Sequence, residues 1–144
     1  RISELQRSVG TALASIQPGL EEEYLEPRTG YSLDLALPSS RVAIEVDGPS
    51  HFLLPDGRGV RKPNGHTLLK RRLFAAAGWR VISVPFFEWD GLRSASARQA
   101  YLERVVVLPK IEESEAKAAA DGAAGGSAVE SAAVRVGTAA GKEA

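Results

Sequence analysis

The sequence predicts an α/β fold, a mixed sheet of four strands flanked by helices. Three observations predict it. Three short segments, residues 20–26, 31–37 and 41–47, follow one another with turn residues between them, as in an antiparallel meander. Segments with apolar residues at helical spacing stand before and after them. A fourth strand, Val81-Ile82-Ser83-Val84, arrives only after a helix, so it should lie parallel to a neighbour through a right-handed crossover.

The elements read in this order. Ile2, Leu5, Val9, Leu13 and Ile16 recur at helical spacing, and Pro18-Gly19 ends that helix. Residues 1–19 are then either the first helix of the domain or a linker to upstream repeats. Leu20 to Glu26 alternates despite its acids, and Pro27 to Gly30 is a turn. In Tyr31 to Leu37, Leu33, Leu35 and Leu37 face one way and Ser32, Asp34 and Ala36 the other. After the Pro38-Ser39-Ser40 turn, Val42, Ile44 and Val46 oppose Ala43, Glu45 and Asp47.

Residues 48–64 form a Gly/Pro-rich loop. Asn64 or Thr67 then caps a helix with an apolar stripe of Leu69, Leu73 and Ala76 and a charged face of Lys70, Arg71 and Arg72, stopped by Gly78. Trp79 to Pro85 is the fourth strand, and Phe86 to Leu92 a short aromatic-rich turn or helix. The last helix, Ser94 to Val107, turns Ala97, Tyr101, Leu102 and Val105 inward. Trp79, Phe86, Phe87 and Trp89 read as core and hydrophobic lid.

The 144 residues, 44% hydrophobic and 25% charged, suit one soluble domain with a modest core. No apolar run approaches the roughly 20 residues a membrane span needs. The absence of cysteine excludes a disulfide framework and a thiolate metal site. With no methionine and Arg1 at its start, the chain reads as an excised fragment, in which any targeting segment of the parent would be invisible. A net charge of zero hides a split: residues 1–110 hold 15 Lys+Arg against 12 Asp+Glu, and residues 111–144 hold 3 against 6. The domain proper is set at residues 20–109. Residues 110–144 form an Ala/Gly-rich acidic tail, expected to be disordered from Glu112 onward with transient helix at Ala116–Ala120.

The chemistry concentrates in Val42 to His51. Glu45 and Asp47 lie two apart on a strand, so both carboxylates leave the same face of what should be a buried element. If Leu37 pairs with Val42, Asp34 lies opposite Glu45 and joins them. Three carboxylates make an oxygen-rich site for Mg²⁺ or Mn²⁺, with His51 as base or phosphate ligand. The alternative is that Lys70, Arg71 or Arg72 clamps these acids and only holds the domain together. Arg58, Arg61, Lys62, His66, Lys70, Arg71 and Arg72 crowd fifteen residues, with Phe52 upstream and a helix N-terminus among them. A nucleic-acid backbone and an unstacked base require these groups, although a solvated helix face would show the same charges.

Several blocks together carry a family resemblance. They are Ser32-Leu33-Asp34-Leu35-Ala36-Leu37-Pro38, Ala43-Ile44-Glu45-Val46-Asp47-Gly48-Pro49-Ser50-His51-Phe52, Gly65-His66-Thr67-Leu68-Leu69-Lys70-Arg71-Arg72, and Gly78-Trp79-Arg80-Val81-Ile82-Ser83-Val84-Pro85 followed by Glu88-Trp89. In this order they resemble the RAP domain over roughly residues 20–107. The resemblance implies a C-terminal RNA-binding module on a larger helical-repeat protein of chloroplasts or mitochondria. Such proteins act in processing, splicing, stabilising or translating organelle transcripts. The Ala/Gly-rich tail, with arginine favoured over lysine, suggests a green-algal octotricopeptide-repeat parent.

The RAP family is in turn similar to PD-(D/E)XK nucleases of the very-short-patch-repair type, which implies a restriction-endonuclease-like core. Through that similarity Asp34 matches the first metal-binding acid and Glu45 the second. Asp47 stands where the nuclease pattern has lysine, which removes the cation expected to orient water. Lys70 is the substitute from the helix, and His51 matches a histidine of the patch-repair branch. Three expectations result. The first is an RNA-binding module that needs no cofactor, takes a single-stranded organelle transcript or rRNA, and works with ribonucleoprotein partners. The second is an endoribonuclease using Asp34, Glu45 and Asp47 with Mg²⁺ or Mn²⁺. The third is a protein-interaction domain with Phe86 to Trp89 as its contact.

Overall fold

The computed structural model describes residues 2–130. The chain divides into two compact units, one ending at Val107 and the other beginning at Leu108. In the first unit, helix α1 (Glu4–Ala14) precedes strands β1 (Glu21–Leu25), β2 (Ser32–Leu37) and β3 (Val42–Asp47). A 3-10 turn (Pro49–His51) and a loop lead to α2 (Gly65–Ala76), then β4 (Arg80–Pro85), α3 (Phe86–Trp89), α4 (Ala95–Leu102) and a π-helical turn (Glu103–Val107). The sheet order is β1-β2-β3-β4. β1–β2 and β2–β3 are antiparallel and β3–β4 parallel, the predicted mixed α/β sheet. Leu37 pairs with Val42 as expected.

Strand β3 is buried along all six residues, because it is an inner strand covered on both faces. On one face Val42, Ile44 and Val46 join Leu35, Leu37, Ile82 and Val84 under α1, Trp89, Tyr101 and Leu102. On the other, Ala43 and Ala36 lie with Phe74, Ala77 and Trp79. Helix α1 is capped by Ser3, which accepts from the Gln6 N–H at 3.1 Å, and buries Val9 and Leu13 completely. It is therefore part of the domain core rather than a linker. The Trp89 indole N–H donates to Ser8 of α1 at 3.1 Å.

Four expectations change. Leu33 does not share a face with Leu35 and Leu37; it packs in the opposite cluster with Ala36 and Phe74. Alternation breaks at Asp34, whose Oδ2 accepts the Val46 N–H at 2.8 Å, so a side chain replaces a ladder acceptor. In α2 the stripe turned inward is Thr67, Lys70, Arg71 and Phe74, while Leu69 is 52% exposed and Ala76 exposed. The reason lies in the acids beneath that helix, described below. Beyond α4, Val106 rather than Val105 is fully buried, because the π-helical turn carries more residues per turn and shifts the phase by one.

The fourth change concerns the tail. Leu108–Glu130 is one helix, α5, and forms the second unit. Alanine has the highest intrinsic helix propensity, which favours helix through the run Ala118–Ala120 and around it. Residues 131–144 of the expected disordered tail lie outside the described residues. Among the described residues, no helix is long and apolar enough to cross a membrane.

Replacing Leu13 by alanine should cost about 3 kcal/mol of unfolding free energy in a urea titration. A linker helix would show almost no change, which would remove α1 from the core.

Candidate nucleic-acid interface

Strand β3 projects Glu45 and Asp47 from the face that α2 covers. They are 4% and 1% exposed. Carboxylates so buried require cations or donors. Helix α2 supplies them from adjacent positions, Lys70 one turn after the buried Thr67 and Arg71 one turn before the buried Phe74. Lys70 Nζ lies 3.2 Å from Glu45 Oε2, and Arg71 Nη2 2.7 Å from Asp47 Oδ2. Asp47 also accepts from the Ser83 hydroxyl on β4 and meets His51 Nδ1 at 2.7 Å. The Asp34 N–H points at Glu45 Oε1, 3.4 Å away. Asparagine 64 caps α2 through the Thr67 N–H, and its side-chain N–H donates to the Ser50 carbonyl, tying the 3-10 turn to the helix start.

Burial raises the Glu45 pKa to about 7; the Asp34 charge adds to this and Lys70 opposes it. Burial also raises Asp34, against the Val46 hydrogen bond. Glu45, Asp47, His51, His66, Thr67, Lys70 and Arg71 line a cavity of about 80 Å³. At about 30 Å³ per water, that space takes two or three waters.

The acidic trio was a candidate Mg²⁺ or Mn²⁺ site, and the geometry does not fit one. Asp34 accepts a backbone N–H, Glu45 is bound to Lys70, and both Asp47 oxygens are engaged. Among the described residues, no three His, Asp or Glu side chains converge as a metal cage. Lys70 and Arg71 already pair with the two acids of β3.

The basic residues separate into two groups. Lys70 and Arg71 turn inward as ion-pair partners of the acids, the clamp that the sequence offered as an alternative, and each keeps about a quarter of its side chain exposed. Arg58, Arg61, Lys62, His66 and Arg72 are exposed. Arg61 lies over the rings of Phe86 and Phe87, at 5.1 and 5.9 Å from their centroids. Those rings pack edge-to-face with each other at 5.5 Å and with Phe52 at 5.9 and 5.4 Å. Phe87 is 40% exposed, so these phenylalanines are a surface cluster and not a core lid. Trp79 and Trp89 are core, as expected. With Trp89 buried, the segment Phe86–Trp89 offers its two phenylalanines and the exposed Glu88 as a contact. Sequence reasoning missed Ser83, which only the parallel register with Glu45 reveals.

Residues 44–105 match the RAP domain, and through them the chain belongs to that family. The chain is also 38% identical over 104 residues to a protein of Oryza sativa subsp. japonica described as "RAP domain-containing protein, chloroplastic". That alignment covers 72% of this chain and 15% of the rice protein, so the chain spans a small part of its relative's length.

Two outcomes test the clamp. Arg71→Ala strands the Asp47 charge and should cost about 3 kcal/mol in denaturant unfolding. Glu45 binds its proton more tightly folded than unfolded, so its contribution to stability is full below about pH 4.5 and lost as pH rises through about 7. Relative to Glu45→Gln, the native protein should therefore lose on the order of 3 kcal/mol of unfolding free energy between those two values. Parallel pH curves for the two proteins would rule the perturbation out.

Proposed function

We propose that this chain is the RNA-binding domain of an organellar RNA factor, and that it holds single-stranded RNA on the loop between β3 and α2 and the phenylalanine cluster beside it. The observation that carries this reading is Arg61 lying over Phe86 and Phe87, with Phe52 packed against both rings. A guanidinium beside an accessible ring suits an unstacked base and its phosphate. Arg58 and Lys62 add exposed charge from the same loop. Membership of the RAP family supports RNA as the ligand, and the chloroplastic rice relative favours a plastid over a mitochondrion. Processing, splicing, stabilisation or translation of an organelle transcript is the class of work this domain serves. Ribonucleoprotein partners and sequence specificity are assigned to the parts of the parent outside this chain. Binding asks for no cofactor.

The acids have a different task in this reading. Glu45 and Asp47 fix α2, and with it the cap at Asn64 and the end of the basic loop. Asp47 in place of the nuclease lysine, and the poor fit of the trio to a divalent ion, weigh against hydrolysis.

Changing Arg58, Arg61 and Lys62 together to alanine should weaken binding of labelled single-stranded RNA. It should also flatten the slope of log affinity against log salt by about 2, three phosphates at roughly 0.7 each. Unchanged affinity and slope would sink the reading. In the same assay the RNA should stay intact with Mg²⁺ or Mn²⁺. Metal-dependent cleavage that disappears in Glu45→Gln would replace binding by the nuclease reading.

A further inference from the structure

A second basic surface lies on the side of the sheet that α1 and α4 cover. A cleft of about 690 Å³ opens between α1 and the start of α4. That volume falls within the range of about 300–1,000 Å³ that holds a small ligand or one nucleotide of a chain. Arg7, Arg93 and Arg98 line it against a single acid, Glu4. Among the described residues, none of the three arginines forms an ion pair. Arg98 is fixed in place: its Nε donates to the Leu92 carbonyl at 2.9 Å and its Nη1 to Ser8 Oγ at 3.1 Å. Its guanidinium lies over the Trp89 ring, 4.7 Å from the centroid. Arg7 and Arg93 are exposed. A cluster of cations with one acid beside it raises the local concentration of anions.

The cleft is not isolated. A second depression, of about 370 Å³, shares Glu4, Ser8 and Arg98 with it and reaches Pro49 and Phe86. Phe86 is the ring under Arg61. Lining residues therefore run without a break from the α1–α4 cleft to the phenylalanine cluster. Glu4 and Asp90 also line that depression, so the cations stand at the two ends of the path, with Arg98 and the Phe86 ring between them; cations and an accessible ring are groups that a single strand of nucleic acid uses to pass along a surface.

We propose that the α1–α4 cleft is a second phosphate-binding subsite on the path of one RNA strand. The strand crosses from the basic loop over Phe87 and Phe86 and places further phosphates at Arg7 and Arg93. The inference rests on the RNA-binding reading and extends it to a surface that the motif-bearing segments do not include.

Its test compares two lengths of labelled oligouridine, roughly 4 and roughly 16 nucleotides, the range of site sizes for single-strand-binding folds. The whole chain is used, with the double variant Arg7→Glu, Arg93→Glu. Affinity for the longer RNA should fall about tenfold or more while the shorter, held at the phenylalanine cluster, is unaffected. Unaltered binding of the longer RNA overturns the proposal. An equal loss at both lengths also overturns it, because that is a general charge effect. If reversal of charge disturbs folding, Arg7→Gln with Arg93→Gln is read in the same way. The basic-loop variant keeps the two ideas apart. Loss of binding there, with the cleft variant unaffected, removes the subsite and leaves RNA binding standing. An unaltered chain that binds neither RNA removes both.

Discussion

Two buried carboxylates on one strand constrain the rest of the domain. Glu45 and Asp47 sit on β3, an inner strand with no exposed residue. Neither acid can be left without a partner in that position, since an uncompensated buried charge costs several kcal/mol. The cations come from α2, and they dictate which way that helix faces. Its leucines would otherwise pack on the sheet; Leu68 and Leu69 instead stay 39% and 52% exposed. Electrostatic demand has overridden the apolar stripe.

The same constraint positions the proposed interface. With α2 pinned by Lys70 and Arg71, its N-cap at Asn64 holds the 3-10 turn through Ser50. Phe52 follows that turn directly and pairs with Pro63 just before the helix. The loop bearing Arg58, Arg61 and Lys62 is thus closed at its base by a bridge and a cap. A loop tied at both ends loses less entropy when it binds a ligand than a free one would. The acids, in this view, act at a distance from the RNA by ordering the groups that touch it.

Glu45 and Asp47 act as a cross-tie between the sheet and α2. An aspartate needs a cation of its own, and Arg71, His51 and Ser83 all converge on it.

The sequence by itself determined the element order, the β2–β3 register and the meeting of Asp34 with Glu45. These depend on local turn chemistry and on a two-residue period, both visible over a few positions. It also marked Arg61 and Phe52 as neighbours of the basic helix. Only the tertiary structure decided which face of α2 turns inward, because that depends on charges brought by a strand 24 and 25 residues away from their partners. It alone brought Phe86 and Phe87 from the end of β4 against Phe52, and set Arg7 beside Arg93 across the whole length of the domain. Contacts between distant segments leave no period in the chain, so no local pattern could have announced them.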